Sequence, residues 1–414
     1  MTDRAKRVIA ECRTIAAMSE EPGRTTRRFL TPSFRQVQQH LRTRMEALGM
    51  TVTVDSAGNL RGLFAPSGAS SRRLILGSHI DTVPDAGAFD GVLGVVLALG
   101  LVEFARTRGL PLALEVIAFS EEEGVRFGFP FIGSRAVAGR LDPAMIAFKD
   151  AEGISIRQAI EAYGLDPTNI AHAVVDDDAI GFVEFHIEQG PALEAEGLSV
   201  AVVTGIVGQG RFDLEFIGHA NHAGTTPMHL RYDALAAAAE WITKVEALAL
   251  KTEGLVATVG RLDPQPNAGN VIPGTVRLSL DIRHARDSAR RVATDQLLEQ
   301  AEAIATRRGL RFECTKKMDE PSVPMDERLT AFMTDAIEAA GLPVKSMPSG
   351  AGHDAMIMAG RMPTAMLFLR SPGGISHHPD ETVREEDVES AFRVGERFLE
   401  RLAAEVRQRI SETK

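Results

Sequence analysis

The stretch "LILGSHIDTVPDAGAFDGVLG", residues 74–94, decides how the rest of the chain is read. Leu74-Ile75-Leu76 reads as a buried strand. His79, Asp81, Asp85 and Asp90 crowd its carboxyl end among glycines, and a helix is predicted over about 91–107. A second apolar strand, Leu112–Phe119, is followed at once by "SEEEG", residues 120–124. Strand, helix and strand in alternation predict an α/β layer with a largely parallel sheet. In such sheets ligands bind beyond the carboxyl ends of the strands. Both polar clusters stand there.

Outward from this core, residues 33–49 have helical spacing closing on Gly49, a C-cap position. Short strands near Thr51–Val54 and Leu60–Phe64 turn through Gly58-Asn59. Another pattern takes over near residue 210. "RFDLEFIG" (211–218) alternates as a half-buried strand, 231–248 is an alanine-rich helix, and "GLVATVG" (254–260) and "TVRLSLDIRH" (275–284) are strands. A helix at 287–309 and a strand at 310–316 complete a β-α-β-β-α-β order, that of a ferredoxin-like module. The expectation is a two-domain α/β protein. A largely parallel catalytic, metal-binding domain spans 1–209 and 321–414, and an α+β lid and dimerisation domain is inserted at 210–320.

At 414 residues the chain exceeds the usual size of a single core. It carries 46 Lys+Arg against 56 Asp+Glu, a net charge of −10, with no basic block. That argues against a nucleic-acid partner. Cys12 and Cys314 form no C-x-x-C, which excludes a thiolate zinc site and a disulfide framework. The opening "MTDRAKRVIAECRTIAAMSEE" mixes charges into a helical period, and no later stretch is apolar for about 20 residues. No membrane association and a cytoplasmic location are expected.

The candidate ligands fall at strand ends. His79 and Asp81, two apart on an extended segment, face one side, so one can bind a metal while the other orients it. Asp90 stands at a predicted helix start. Glu121-Glu122-Glu123 would be solvated on an open surface, but packed behind a buried strand the run needs a counter-ion. His186 ends an alternating strand, and His377-His378 lie in a Gly-rich loop. Three histidines, an aspartate and a glutamate make a nitrogen/oxygen site of zinc or manganese type, with cobalt and nickel also suited. The ligand surplus points to two divalent ions bridged by a carboxylate, a pair typically about 3.5–4 Å apart.

These residues, with "SEEEGVRF", "FHIEQGP", "GHANHAGTTPM", "GNVIPG", "DIRH", "GAGHDA" and "GISHHPDE", resemble the hydantoinase/carbamoylase family of binuclear metal-dependent amidohydrolases. That family comprises N-carbamoyl-L-amino-acid hydrolases, allantoate amidohydrolases and β-ureidopropionases. The resemblance implies that His79, Asp90 and His186 hold one ion and Asp90, Glu123 and His377 the other. It makes Glu122 the general base for the attacking water and Asp81 the partner orienting His79. It also implies a cis Asp90–Gly91 peptide. Gln189, His222, Asn270, Arg283, Gly352 and His353 become substrate contacts, with His222 the oxyanion donor and Arg283 a bidentate grip on the substrate carboxylate. In relatives His222 and Asn270 reach the site across a dimer interface, so a homodimer is implied.

Two departures stand out. Where relatives have Ser or Asn after the loop histidine, this chain has His378, which competes with His377 as ligand. Val125 replaces the usual Ser after "EEEG". The resemblance implies a small ureido carboxylate substrate, either an N-carbamoyl amino acid or allantoate. The alternatives are an aminoacylase or dipeptidase on the same scaffold, or a non-catalytic metal-stabilised binding protein. His219 is expected at the surface.

Overall fold

A computed structural model of the chain describes residues 3–67 and 72–412. It divides into two compact units, Met1–Thr204 with Pro324–Lys414, and Gly205–Val323. The divisions lie a few residues outside positions 210 and 320 because the strands of the smaller unit run long. Gly208 already pairs with His284, and Glu320 still pairs with Gln209.

The larger unit is built on four adjacent parallel strands, in the order Ala113–Phe119, Arg73–His79, Ala179–Ile187 and Thr364–Leu369. Antiparallel strands flank them, Leu60–Phe64 and then Thr51–Val54 on one side, Val200–Ile206 on the other. The central strands are buried along almost their whole length and largely apolar because the sheet is covered on both faces. The helix Val92–Arg108 is buried over most of its circumference and packs on the His79 and His186 strands. Gly94 permits that approach, since a Cβ there would lie 2.2 Å from the Phe185 carbonyl oxygen. The helix Glu385–Glu412 covers this helix in turn.

In the smaller unit an antiparallel sheet runs in the order Leu262–Gln265, Thr275–His284, Gly208–Ile217, Arg311–Glu320. Alternate residues of its two central strands are buried, Phe212, Leu214 and Phe216 beside Val276, Leu278, Leu280 and Ile282. The helices Ala234–Lys251 and Asp287–Arg307 pack on this core, and Trp241 Nε1 donates to the Leu297 carbonyl at 2.8 Å. The strand expected at 254–260 is shorter, Val256–Thr258, and a second strand, Leu262–Gln265, follows beyond those bounds. The second contains Pro264 and lies at the sheet edge, where a missing N–H breaks no ladder. Asn221–His222 pairs separately with Val271–Ile272. Among the described residues no helix is long and apolar enough to cross a membrane.

Candidate metal centre

The carboxyl ends of the four parallel strands deliver the site. His79 is the last residue of its strand, Glu121–Glu123 follow Phe119, His186 is the penultimate residue of its strand, and His377 lies in the loop after Leu369. The side chains of His79, Asp81, Asp90, Glu122 and His186 are buried. Among the described residues, groups of ligating atoms within 4.8 Å of one another are His79, Asp90 and His186; Glu184, His186 and His353; His79, Glu122 and Glu123; and Asp90, Glu123 and His377.

Asp90 is the hub. Its Oδ1 lies 3.3 Å from His79 Nε2 and 3.2 Å from His186 Nε2, and its Oδ2 lies 3.3 Å from His377 Nε2. His377 Nε2 is also 3.5 Å from Glu123 Oε1. His378 turns away, with Nδ1 3.6 Å from Asp380 Oδ2. Thus His377, not His378, meets Asp90.

The chain is held around this hub by hydrogen bonds that spare the ligating atoms. His79 Nδ1 donates to the Asp81 carbonyl at 3.0 Å, and His186 Nδ1 to the Ile187 carbonyl at 2.9 Å. The Asp81 side chain stands 3.7 Å from His79 and instead accepts the Glu122 and Glu123 N–H groups, each at 3.1 Å. Asp81 therefore orients His79 through its main chain and the glutamate pair through its carboxylate. Glu381 Oε1 accepts the Phe89 and Asp90 N–H groups at 2.9 and 3.0 Å.

The turn into the long helix corrects one expectation. Among the described residues the one cis peptide is Gln265–Pro266, so Asp90–Gly91 is trans. Gly91 takes the turn itself, with φ 66° and ψ −57°, and a Cβ there would lie 2.5 Å from the His79 ring. Glu121, Gln189 and His377 also hold left-handed φ values of 51°, 58° and 56°. Such conformations in non-glycine residues cluster at functional sites.

The electrostatics ask for positive charge. Burial alone would lower His79, but Asp90, Glu122 and Asp81 outweigh it and hold the ring well above its ordinary value. Burial opposes ionisation of Asp90, yet His186, His377 and His79 hold it well below the usual carboxylate range. Burial pushes Glu122 well above that range, and burial with Asp90 takes Glu123 up to about 7. Asp90 holds His377 up at about 9. Among the described residues the buried Asp90 Oδ1 has no hydrogen-bond partner. Because both Nδ1 atoms are committed as donors, each Nε2 is left to a proton or a metal. These oxygen and imidazole donors fit divalent cations.

Other sequence candidates divide between the units. Gln189 Nε2 donates to Asp90 Oδ2 at 2.7 Å, leaving Oε1 without a partner among the described residues. His353 is buried with its ring 4.4 Å from that of His186, and Gly352 precedes it where a Cβ would lie 2.9 Å from the Phe131 ring. Burial, reinforced by His186, holds His353 well below its ordinary value. In the smaller unit His222 is exposed, and its Nδ1 accepts the Gly224 and Thr225 N–H groups at 3.1 and 3.2 Å. That acceptor role puts the ring proton on Nε2, where it can serve as a donor. Asn270 is beside it, its carbonyl accepting the Ala223 N–H at 3.0 Å. Arg283 is forked on Asp281 at 2.7 and 3.1 Å. His219 is exposed.

Sequence reasoning missed Glu184, Glu381 and Arg27. Arg27 is fully buried and donates to the Ile80, Ile15 and Met18 carbonyls, pinning the segment beside Asp81. A charge inside the apolar strand "AIGFVEFHI" was the available signal for Glu184.

The family model for peptidase family M20/M25/M40 matches residues 75–401. An N-carbamoyl-L-amino acid amidohydrolase of Geobacillus stearothermophilus is 38% identical over 88% of this chain and 90% of its own length. An allantoate amidohydrolase of Escherichia coli is 37% identical over 93% and 94%. Among solved structures, a hydantoinase/carbamoylase family amidase from Burkholderia multivorans superposes with TM-score 0.90 at 31% identity, covering 96% of this chain and 97% of that one. AtUAH in complex with glyoxylate superposes with TM-score 0.76 at 31% identity, covering 98% of each chain. Matched over most of its length and in the strands that carry its cluster of histidines and carboxylates, the chain belongs to peptidase family M20/M25/M40.

Proposed function

We propose that this protein is a metal-dependent hydrolase of the ureido C–N bond of a small carboxylate, an N-carbamoyl-L-amino acid or allantoate, releasing ammonia and carbon dioxide. The observation that carries the reading is the convergence of His79, Asp90, Glu123, His186 and His377, with Glu122 beside them. Relatives at 36–38% identity named for both substrates support it.

His79, Asp90 and His186 would hold one divalent ion, and Asp90, Glu123 and His377 a second, zinc or manganese suiting these donors. Bound there, such ions supply Lewis acidity toward water and the ureido carbonyl. Glu122 accepts the proton of the attacking water and passes it to the departing amide nitrogen, which leaves as ammonia. The carbamate left on the other nitrogen then decays to amine and carbon dioxide. Gln189 Oε1 accepts from a ureido N–H, and Gly352 and His353 line the wall beside His186. His222 offers Nε2–H to the developing oxyanion, Asn270 supports it, and Arg283 grips the substrate carboxylate. Asp281 then acts as the resting partner that holds the guanidinium ready. We read the smaller unit as a ferredoxin-like lid and dimerisation module of a homodimer.

The test is ammonia release from N-carbamoyl amino acids and allantoate, with N-acetyl amino acids and dipeptides as controls, in wild type and Glu122→Gln. Wild type is expected to release ammonia from a ureido substrate, and the variant to keep its metal while losing about 10²–10⁴-fold in rate. Full activity in Glu122→Gln removes that residue from the role. Amine release from the controls without ammonia from any ureido compound supports an aminoacylase or dipeptidase instead.

A further inference from the structure

Glu184 lies inside the sheet, fully buried, two residues before His186 on the same strand and the same face. A carboxylate in that position must find donors or destabilise the core. It finds two. Oε1 accepts the Ser78 hydroxyl at 2.8 Å, and Oε2 accepts the Ala355 N–H at 2.9 Å. Ser78 immediately precedes His79, and Ala355 is two residues past His353. One side chain thus ties together three segments that are remote in sequence and that supply His79, His186 and His353.

The His353 ring has few other restraints. Its Nε2 meets Ser349 Oγ at 2.9 Å, and its faces rest against His186 and Phe368 at centroid distances of 4.4 and 5.7 Å. The main chain leaving His353 is fixed to the sheet through Glu184. The Glu184 carboxylate also lies within 4.8 Å of ligating nitrogens of His186 and His353, and shifting the anchor moves the His353 ring relative to His186 through the main chain.

We propose that Glu184 is a positioning residue, which sets His353 against the metal-ligating strands so that the substrate meets both in register. This deepens the proposed function and rests on its assignment of His353 to the substrate. Glutamine at 184 can keep both contacts, its amide oxygen accepting from Ala355 and its NH2 donating to Ser78. Alanine loses both.

The experiment is a double-mutant cycle between Glu184→Ala and His353→Ala on the metal-replete enzyme, with Glu184→Gln as the conservative variant. Glu184→Ala is expected to raise KM for the ureido substrate at least tenfold with kcat changed less than threefold. Glu184→Gln should stay within threefold of wild type in both. In the His353→Ala background, Glu184→Ala should add less than a twofold further change. Multiplying effects, or a Glu184→Gln as impaired as Glu184→Ala, overturn the proposal. If the alanine variant does not fold, Glu184→Asp, which reaches one partner only, carries the same cycle and the same criteria. A wild type without ureido hydrolysis defeats the proposed function, and the imidazole ¹H–¹⁵N spectrum then decides the positioning claim separately. His353 resonances that move in Glu184→Ala and not in Glu184→Gln sustain it, and unchanged resonances in both overturn it.

Discussion

His79 Nε2 and His186 Nε2 face each other across 3.5 Å in the interior, each ring donating its Nδ1–H to a main-chain carbonyl. Two imidazolium protons in that gap repel each other, whereas one cation between the nitrogens satisfies both and the Asp90 oxygen beside them. Much of what this chain should do on perturbation follows from that pairing.

Metal removal should therefore cost stability as well as turnover. Ligands that bind only the folded state stabilise by about 4 kcal/mol at a thousandfold excess over Kd. Exhaustive chelation should lower the melting temperature by on the order of 10 °C, reversed by zinc or manganese. An unchanged melting curve would mean that the cluster is held together by its own protons.

Gly91→Ala introduces a side chain at a left-handed φ of 66°, with its Cβ 2.5 Å from the His79 ring. The ring must move, and it carries Nε2 with it. Metal affinity, measured by competition with a chromogenic chelator, should fall at least about tenfold, or roughly 1.4 kcal/mol.

Asp81→Asn tests the clamp on the glutamate pair. Asparagine can accept one of the two N–H groups from Glu122 and Glu123 and turns an NH2 toward the other. Leaving that donor unsatisfied costs about 1–3 kcal/mol. At saturating substrate, ammonia release should drop about 10–100-fold while metal content stays at the wild-type level. Loss of metal in parallel would instead give Asp81 a role in ligand orientation alone.

Arg283→Lys keeps the charge and loses the fork. KM for a ureido carboxylate should rise about tenfold or more, with no change toward an N-carbamoyl amine that lacks the carboxylate. Equal effects on both compounds would assign Arg283 to the ion pair with Asp281 rather than to the substrate.

The parallel sheet was legible because its strands are continuous apolar runs ending in polar bursts, a contrast that survives without any tertiary information. His79 could be read for the same reason, since it ends such a run, whereas Asp90 was marked by a helix start and His186 by the end of a strand that reads as alternating and is in fact buried at every position. The division of labour around Asp81 was not legible. Whether a carboxylate or its own carbonyl meets a neighbouring imidazole depends on main-chain torsions, and the sequence "SHIDT" permits either. The trans Asp90–Gly91 peptide is of the same kind, because glycine can turn the chain by φ and ψ or by ω. Glu184 and Glu381 bind main-chain N–H groups from segments distant in sequence, and only the folded register shows which ones. His377 and His378 differ in the direction of one loop turn, which the left-handed φ of His377 sets.

The most direct measurement is an anomalous-diffraction map of crystals grown with manganese or zinc. Two peaks per chain are predicted, one against each oxygen of Asp90, with His79 and His186 on one and Glu123 and His377 on the other. A single peak, or peaks away from Asp90, would contradict the binuclear centre on which the proposed chemistry depends.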